Sequence, residues 1–172
     1  MKPASTSLAR IAVGVVVERA KAASQWTDFI WRPVTVLHGR PEAEPWTALR
    51  VEKDVTSFYA GAAEIELFRS ETANYRNNLA SGAPGLWVAM QPTESDPPYQ
   101  LLTVTADPAE GEALTETATN LVECVPMPET IQELVVAFVA EHHVEQPFYK
   151  RKRDRADPEA MARRRGYGDH DE

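Results

Sequence analysis

The chain has 172 residues, with 18 Lys and Arg against 26 Asp and Glu, a formal net charge of -8, and 43% hydrophobic residues. That length suits one domain, with or without a tail, and the ordinary composition excludes wholesale disorder, collagen and coiled coil. A single Cys excludes an internal disulfide framework and any Cys-only zinc or iron–sulfur site, and the acidic total opposes a protein that coats nucleic acid with its whole surface.

Residues 1–7 are polar. The apolar run Ile11-Ala12-Val13-Gly14-Val15-Val16-Val17 stops at Glu18-Arg19. It is too short to span a membrane, and no small-residue cleavage site follows. It therefore reads as a strand buried on both faces, in a cytoplasmic protein. A polar turn leads to an extended stretch over residues 28–37. Pro33 within it cannot donate to a ladder, which predicts an edge or bulged strand. Short strands are predicted over 46–51 and 57–60, with a turn at Gly61. Ala63, Ile65 and Leu67 then alternate with Glu64, Glu66 and Phe68 as in a half-exposed strand.

Ser70 is placed as the N-cap of a helix over 71–80, stopped by Ser81-Gly82. Strands over 86–90 and 100–105 flank a Pro-rich loop. Asp107-Pro108-Ala109-Glu110 has the residues of a helix start: a capping acid, Pro at the first helical position and Glu at the third. That helix runs to about Ala118, and a strand over 121–125 follows. Beyond Pro126 and Pro128, residues Ile131, Leu134, Val135, Phe138, Val139 and His142 recur on one helical face. The sum is an α+β fold: a largely antiparallel sheet of about eight short strands with about three helices. Residues 1–149 form its single domain, and 150–172 a charged, disordered tail.

The charge is uneven. Residues 150–172 hold eight of the basic residues and six of the acids, which leaves ten cations and twenty acids in the body, a formal -10. The tail opens on Lys150, Arg151, Lys152 and Arg153, a cluster suited to docking on an acidic partner surface. The same cluster would serve a sequence-nonspecific nucleic-acid arm, or simply solvate the chain end.

No other pattern selects a chemistry. The glycines are isolated, so no phosphate-cradling loop is present. Adjacent His142 and His143 point about 100° apart on a helix and do not share one ion. Cys124 lies in an apolar strand, where Cys acts as a small hydrophobe, and nothing singles out a carboxylate pair. No catalytic residue, metal site or cofactor is therefore expected. Trp26, Phe29, Trp31 and Trp46 form a dense aromatic set that reads first as core. Trp31 and Arg32 beside the edge-forming Pro33 are the candidate contact residues, since Trp and Arg are enriched at binding hot spots.

Three stretches, VGVVVERAKAASQWTDFIWRPVTVLHG, FYAGAAEIELFRSETANYRNNL and VPMPETIQELVVAFVAEHHVEQPFYKRKR, resemble in order and spacing the bacterial domain of unknown function 3305 family, over about residues 10–153. The resemblance carries no activity or catalytic residues. It implies an accessory role, because members are encoded beside molybdenum-dependent formate dehydrogenase components, an iron–sulfur protein and a redox-enzyme chaperone. The expectation is a non-catalytic protein that binds a formate dehydrogenase subunit or maturation factor through Trp31, Arg32 and the Lys150–Arg153 cluster. The alternatives are a molybdenum-cofactor-handling enzyme or carrier, and a nonspecific nucleic-acid binder acting through the tail. Some relatives carry a label for molybdopterin-guanine dinucleotide synthesis. Such an enzyme needs an N-terminal Gly-rich loop, where this chain has one glycine in a β-branched run.

Overall fold

Strand β1 (Ala9–Lys21) is the spine of the molecule. In the computed structural model, which describes residues 8–144, it lies between β2 (Phe29–His38) and β4 (Val55–Leu67), antiparallel to both. Strand β3 (Thr47–Val51) pairs with β4 and completes a four-stranded sheet in the order β2-β1-β4-β3. A second antiparallel sheet has β5 (Gly85–Pro92) at its centre, between β6 (Tyr99–Thr105) and β7 (Leu121–Pro126). The helices are α1 (Thr72–Leu79), entered through a 3-10 turn at Arg69–Glu71, α2 (Pro108–Glu116) and α3 (Glu129–His142). The fold is α+β, with seven strands in two antiparallel sheets among the described residues.

The single sheet of about eight strands is thus corrected to seven strands in two sheets. The strands expected over 57–60 and from Ala63 onward are one strand, β4. Gly61 adopts φ 132 but reverses nothing. It sits opposite Val15, where the β1–β4 register slips, and a glycine there lets the strand kink through a bulge and continue. A second slip separates Val16 from Val17 against β2, with Pro33 opposite Val17, so the proline strand is both at an edge and bulged. Nor is β1 buried on both faces. Ile11, Val13, Val15 and Val17 face the core, while Ala12 is exposed and Val16 half-buried, because the outer face is covered mainly where Pro41 and Tyr59 lie against Gly14.

The sheets face each other, with β4 running beside β6 and β2 beside β7. Their inner faces and two helices share one core, which includes Val13, Ile65, Leu67, Leu86, Val88 and Val125 together with Tyr75, Ile131, Val135 and Phe138. Helices α1 and α3 pack together over one end of the sheets. The Tyr75 hydroxyl accepts from the Phe68 amide, 2.9 Å away, just past the end of β4. Asn78 donates to the carbonyls of Gly85 and Ala106 at 2.8 and 2.9 Å, and accepts from the Gly85 amide at 3.0 Å. One buried amide thereby ties α1 to the start of β5 and the end of β6. Helix α2 lies on the other side of the second sheet, with Gly111 directly beneath the Trp87 indole.

Helix ends follow local chemistry more than sequence position. Asp107 caps α2 as its residues suggest, accepting from the Ala109 amide at 2.9 Å. Glu110 accepts instead from the Thr105 hydroxyl at 2.8 Å. Ser70 caps nothing; its hydroxyl turns to Glu71, and the helix begins two residues later. On α3, Ile131, Val135 and Phe138 are buried, while Leu134 is exposed.

Candidate binding surface at the open end of the sheets

The end of the sheets opposite α1 and α3 is built from aromatic rings around one arginine. In the first sheet Arg19 pairs directly with Trp31, Lys21 with Phe29, and Val17 with Phe58, which puts these side chains on one face. Trp46, just before β3, and Tyr99, at the start of β6, complete the group. The Trp31 ring lies 5.8 Å from both Trp46 and Phe58, 6.3 Å from Tyr99 and 6.5 Å from Phe29, mostly in edge or tilted contact. Trp31, Trp46, Phe58 and Tyr99 are half-buried, and Phe29 is 41% exposed.

The Arg19 guanidinium carbon lies 4.4 Å from the Phe29 centroid, 5.2 Å from Phe58 and 5.7 Å from Trp31. The negative ring faces hold the cation by about 0.5–2 kcal/mol. Its fixed fork of N–H donors has no carboxylate within ion-pair distance among the described residues, and no hydrogen-bond acceptor there. Arg10, by contrast, pairs with Glu64 and Glu66 at 3.5 Å, and Arg50 with Glu52 at 2.6 Å. Trp46 adds backbone strain: its φ is 68, a left-handed conformation that costs a bulky residue roughly 1–3 kcal/mol. Its amide donates to the Tyr59 carbonyl, and its ring meets Trp31 and Phe58 edge-on, with centroids 5.8 and 6.1 Å away.

Of the expected contact residues, Trp31 stands at the centre of this cluster. Arg32 does not join it. Neighbouring strand residues point to opposite faces, so Arg32 is exposed on the outer face in register with Glu18. Lys150, Arg151, Lys152 and Arg153 lie outside the described residues. Trp26 is no core residue; it is 94% exposed in the connection between β1 and β2. Sequence reasoning passed over Arg19 and Phe58. The signal for Arg19 was its phase: it follows Val13, Val15 and Val17 at two-residue steps, a cation on the inward face of a strand.

Other candidates resolve differently. Cys124 is exposed, because its strand position shares a face with Trp87 while Val125 faces the core. Partial burial, then the neighbouring Glu123, push its thiol pKa up, away from a reactive thiolate. His142 packs 4.5 Å from the Phe138 ring centroid. His143 is more than a solvated side chain: its Nδ1 lies 3.1 Å from the Thr72 hydroxyl and its Nε2 3.3 Å from an Arg76 nitrogen, tying α3 to α1. Among the described residues no three of His, Cys, Asp and Glu converge to hold a metal ion, and no helix is long and apolar enough to cross a membrane. An open hollow of about 360 Å³ on the outer face is lined by Ala12, Arg40, Ala62, Glu64 and Glu66, whose two acids are engaged by Arg10.

Fold and surface together define a two-sheet α+β domain, closed by helices at one end and presenting an arginine among aromatic rings at the other. The chain belongs to the family described as protein of unknown function (DUF3305), which it matches over residues 12–152. No curated protein and no solved structure matches it.

Proposed function

We propose that this chain is a non-catalytic accessory protein of the cytoplasm that acts by binding another protein, and that its partner is a subunit or maturation factor of a molybdenum-dependent formate dehydrogenase. The observation that carries the binding role is the open end of the sheets, where Arg19 rests on three rings with its donors unmet by described residues. A pre-positioned cation among half-exposed Trp and Phe side chains has the composition of a binding hot spot. The choice of partner rests on the setting in which the family's members are encoded. In this reading Trp31 belongs to the main contact surface, and Lys150, Arg151, Lys152 and Arg153 supply a second contact that speeds association with an acidic partner. Arg32, on the opposite face, contributes only if the partner wraps the edge of β2.

The test is affinity purification of the tagged protein from its own host under conditions that induce formate dehydrogenase. A formate dehydrogenase subunit or maturation factor is expected to co-purify, less of it with Trp31→Ala, and less again after deletion of residues 150–172. Recovery of neither class of protein contradicts the role. Calorimetry with a pterin and a guanine nucleotide examines the cofactor-handling alternative, and saturable binding of either would favour that alternative.

A further inference from the structure

We infer that the open end of the sheets recognises an acidic peptide segment of the partner, with a carboxylate paired to Arg19 and an adjacent apolar or aromatic side chain seated against Phe29 and Trp31. This names the partner chemistry of the surface proposed above and rests on that reading. The argument is one of charge and preparation. The body carries twenty acids against ten cations, and Arg10 and Arg50 already have acid partners. Arg19 has no acid partner among the described residues. It is held over three rings, which position the guanidinium. A planar fork fixed in this way loses little freedom when a carboxylate takes two of its N–H groups side by side. Lys21, two residues along on the same face, extends the positive strip.

The apolar half of the surface is equally specific. Phe29 is 41% exposed, and Trp31 and Phe58 are half-buried. The rings around Arg19 are thus partly uncovered where a ligand on the guanidinium would touch them. An isolated anion would leave these rings wet, and an apolar peptide would leave the cation unpaired. A segment that pairs Asp or Glu with a large apolar residue satisfies both. Nucleic acid fits less well, because the acidic body repels a polyanion extending beyond Arg19 and Lys21.

The experiment uses the full chain and two matched peptides, acetyl-Leu-Asp-Phe-Glu-Leu-amide and its neutral counterpart acetyl-Leu-Asn-Phe-Gln-Leu-amide, followed by tryptophan fluorescence at low salt. Saturable binding of the acidic peptide is expected, at least ten-fold tighter than that of the neutral one. Arg19→Gln should abolish that preference, and Arg19→Lys, which keeps the charge but not the planar fork, should reduce it several-fold. Arg32→Gln should leave it unchanged. Denaturant melts establish that each variant folds; should Arg19→Gln fail to fold, the peptide pair on the unaltered chain and Arg19→Lys carry the test. Equal affinity for both peptides, or no binding of either at millimolar concentration, overturns the inference. Tighter binding of single-stranded oligo-dT than of the acidic peptide overturns it in favour of nucleic acid. Acidic-peptide binding seen only after deletion of residues 150–172 would assign the surface to the chain's own Asp169-His170-Asp171-Glu172 end, and overturns it as well. Peptide discrimination without capture of a formate dehydrogenase component would sink the proposed role while leaving the surface chemistry standing. The reverse pattern would do the opposite.

Discussion

The two ends of the sheets are made from similar materials and finished differently. At the helical end, aromatic Tyr75 and Phe138 meet in edge contact deep in the core, and the buried polar atoms all have partners: Asn78 makes three hydrogen bonds and the Tyr75 hydroxyl takes the Phe68 amide. At the open end, rings of the same kind are half-exposed, Arg19 has no acid among the described residues, and Trp46 holds a strained backbone. Fully hydrogen-bonded burial serves stability, whereas backbone strain and a cation held on rings without an acid partner gather where molecules bind. On the proposed function, the difference separates a structural end from a working end.

That separation is sharpest in matched truncations. Phe138→Ala at the helical end should destabilise by about 4 kcal/mol through the cavity it leaves, while Phe29→Ala at the open end should cost less than about 1 kcal/mol. Urea melts of the pair check this, and equal losses would erase the distinction. Next in size, Asn78→Ala leaves the buried Gly85 amide and Ala106 carbonyl without their partner, for a loss of about 3 kcal/mol by the same measurement. Smaller still, Tyr75→Phe gives up the acceptor for the Phe68 amide and should cost about 1 kcal/mol at neutral pH.

Tyr75 also sets an alkaline signature for the helical end. Burial pushes its pKa from 10.0 up to about 12, against the opposing bond from Phe68. Above pH 10 the unfolded chain releases this proton while the folded chain keeps it, so stability falls as pH rises from about 10 to 12. Melts across that range should show the decline in the natural protein, and a shallower one in Tyr75→Phe.

Much of the fold was legible in residue patterns. The 3.6-residue period placed α3, the Asp107-Pro108 start placed α2, and Pro33 marked the edge strand, because each rests on local chemistry. The continuity of β4 was hidden because a glycine at a bulge and a glycine in a turn look alike without the partner strand. The split into two sheets depends on contacts remote in sequence, such as β2 with β7. At the surface, Trp31 was visible as an aromatic beside a proline, but the arginine against its ring was not the one beside it in sequence. Adjacency in sequence favoured Arg32, whereas the pleat and the cross-strand register deliver Arg19.

The most direct measurement of the central claim is the tryptophan indole region of a proton–nitrogen correlation spectrum, recorded while the acidic peptide is added. The indoles of Trp31 and Trp46 at the open end should shift progressively, and that of Trp87, held over Gly111 on the far side of the second sheet, should stay in place. Shifts centred on Trp87, or no shift at Trp31 and Trp46 at saturating peptide, would contradict the assignment of the open end as the working surface.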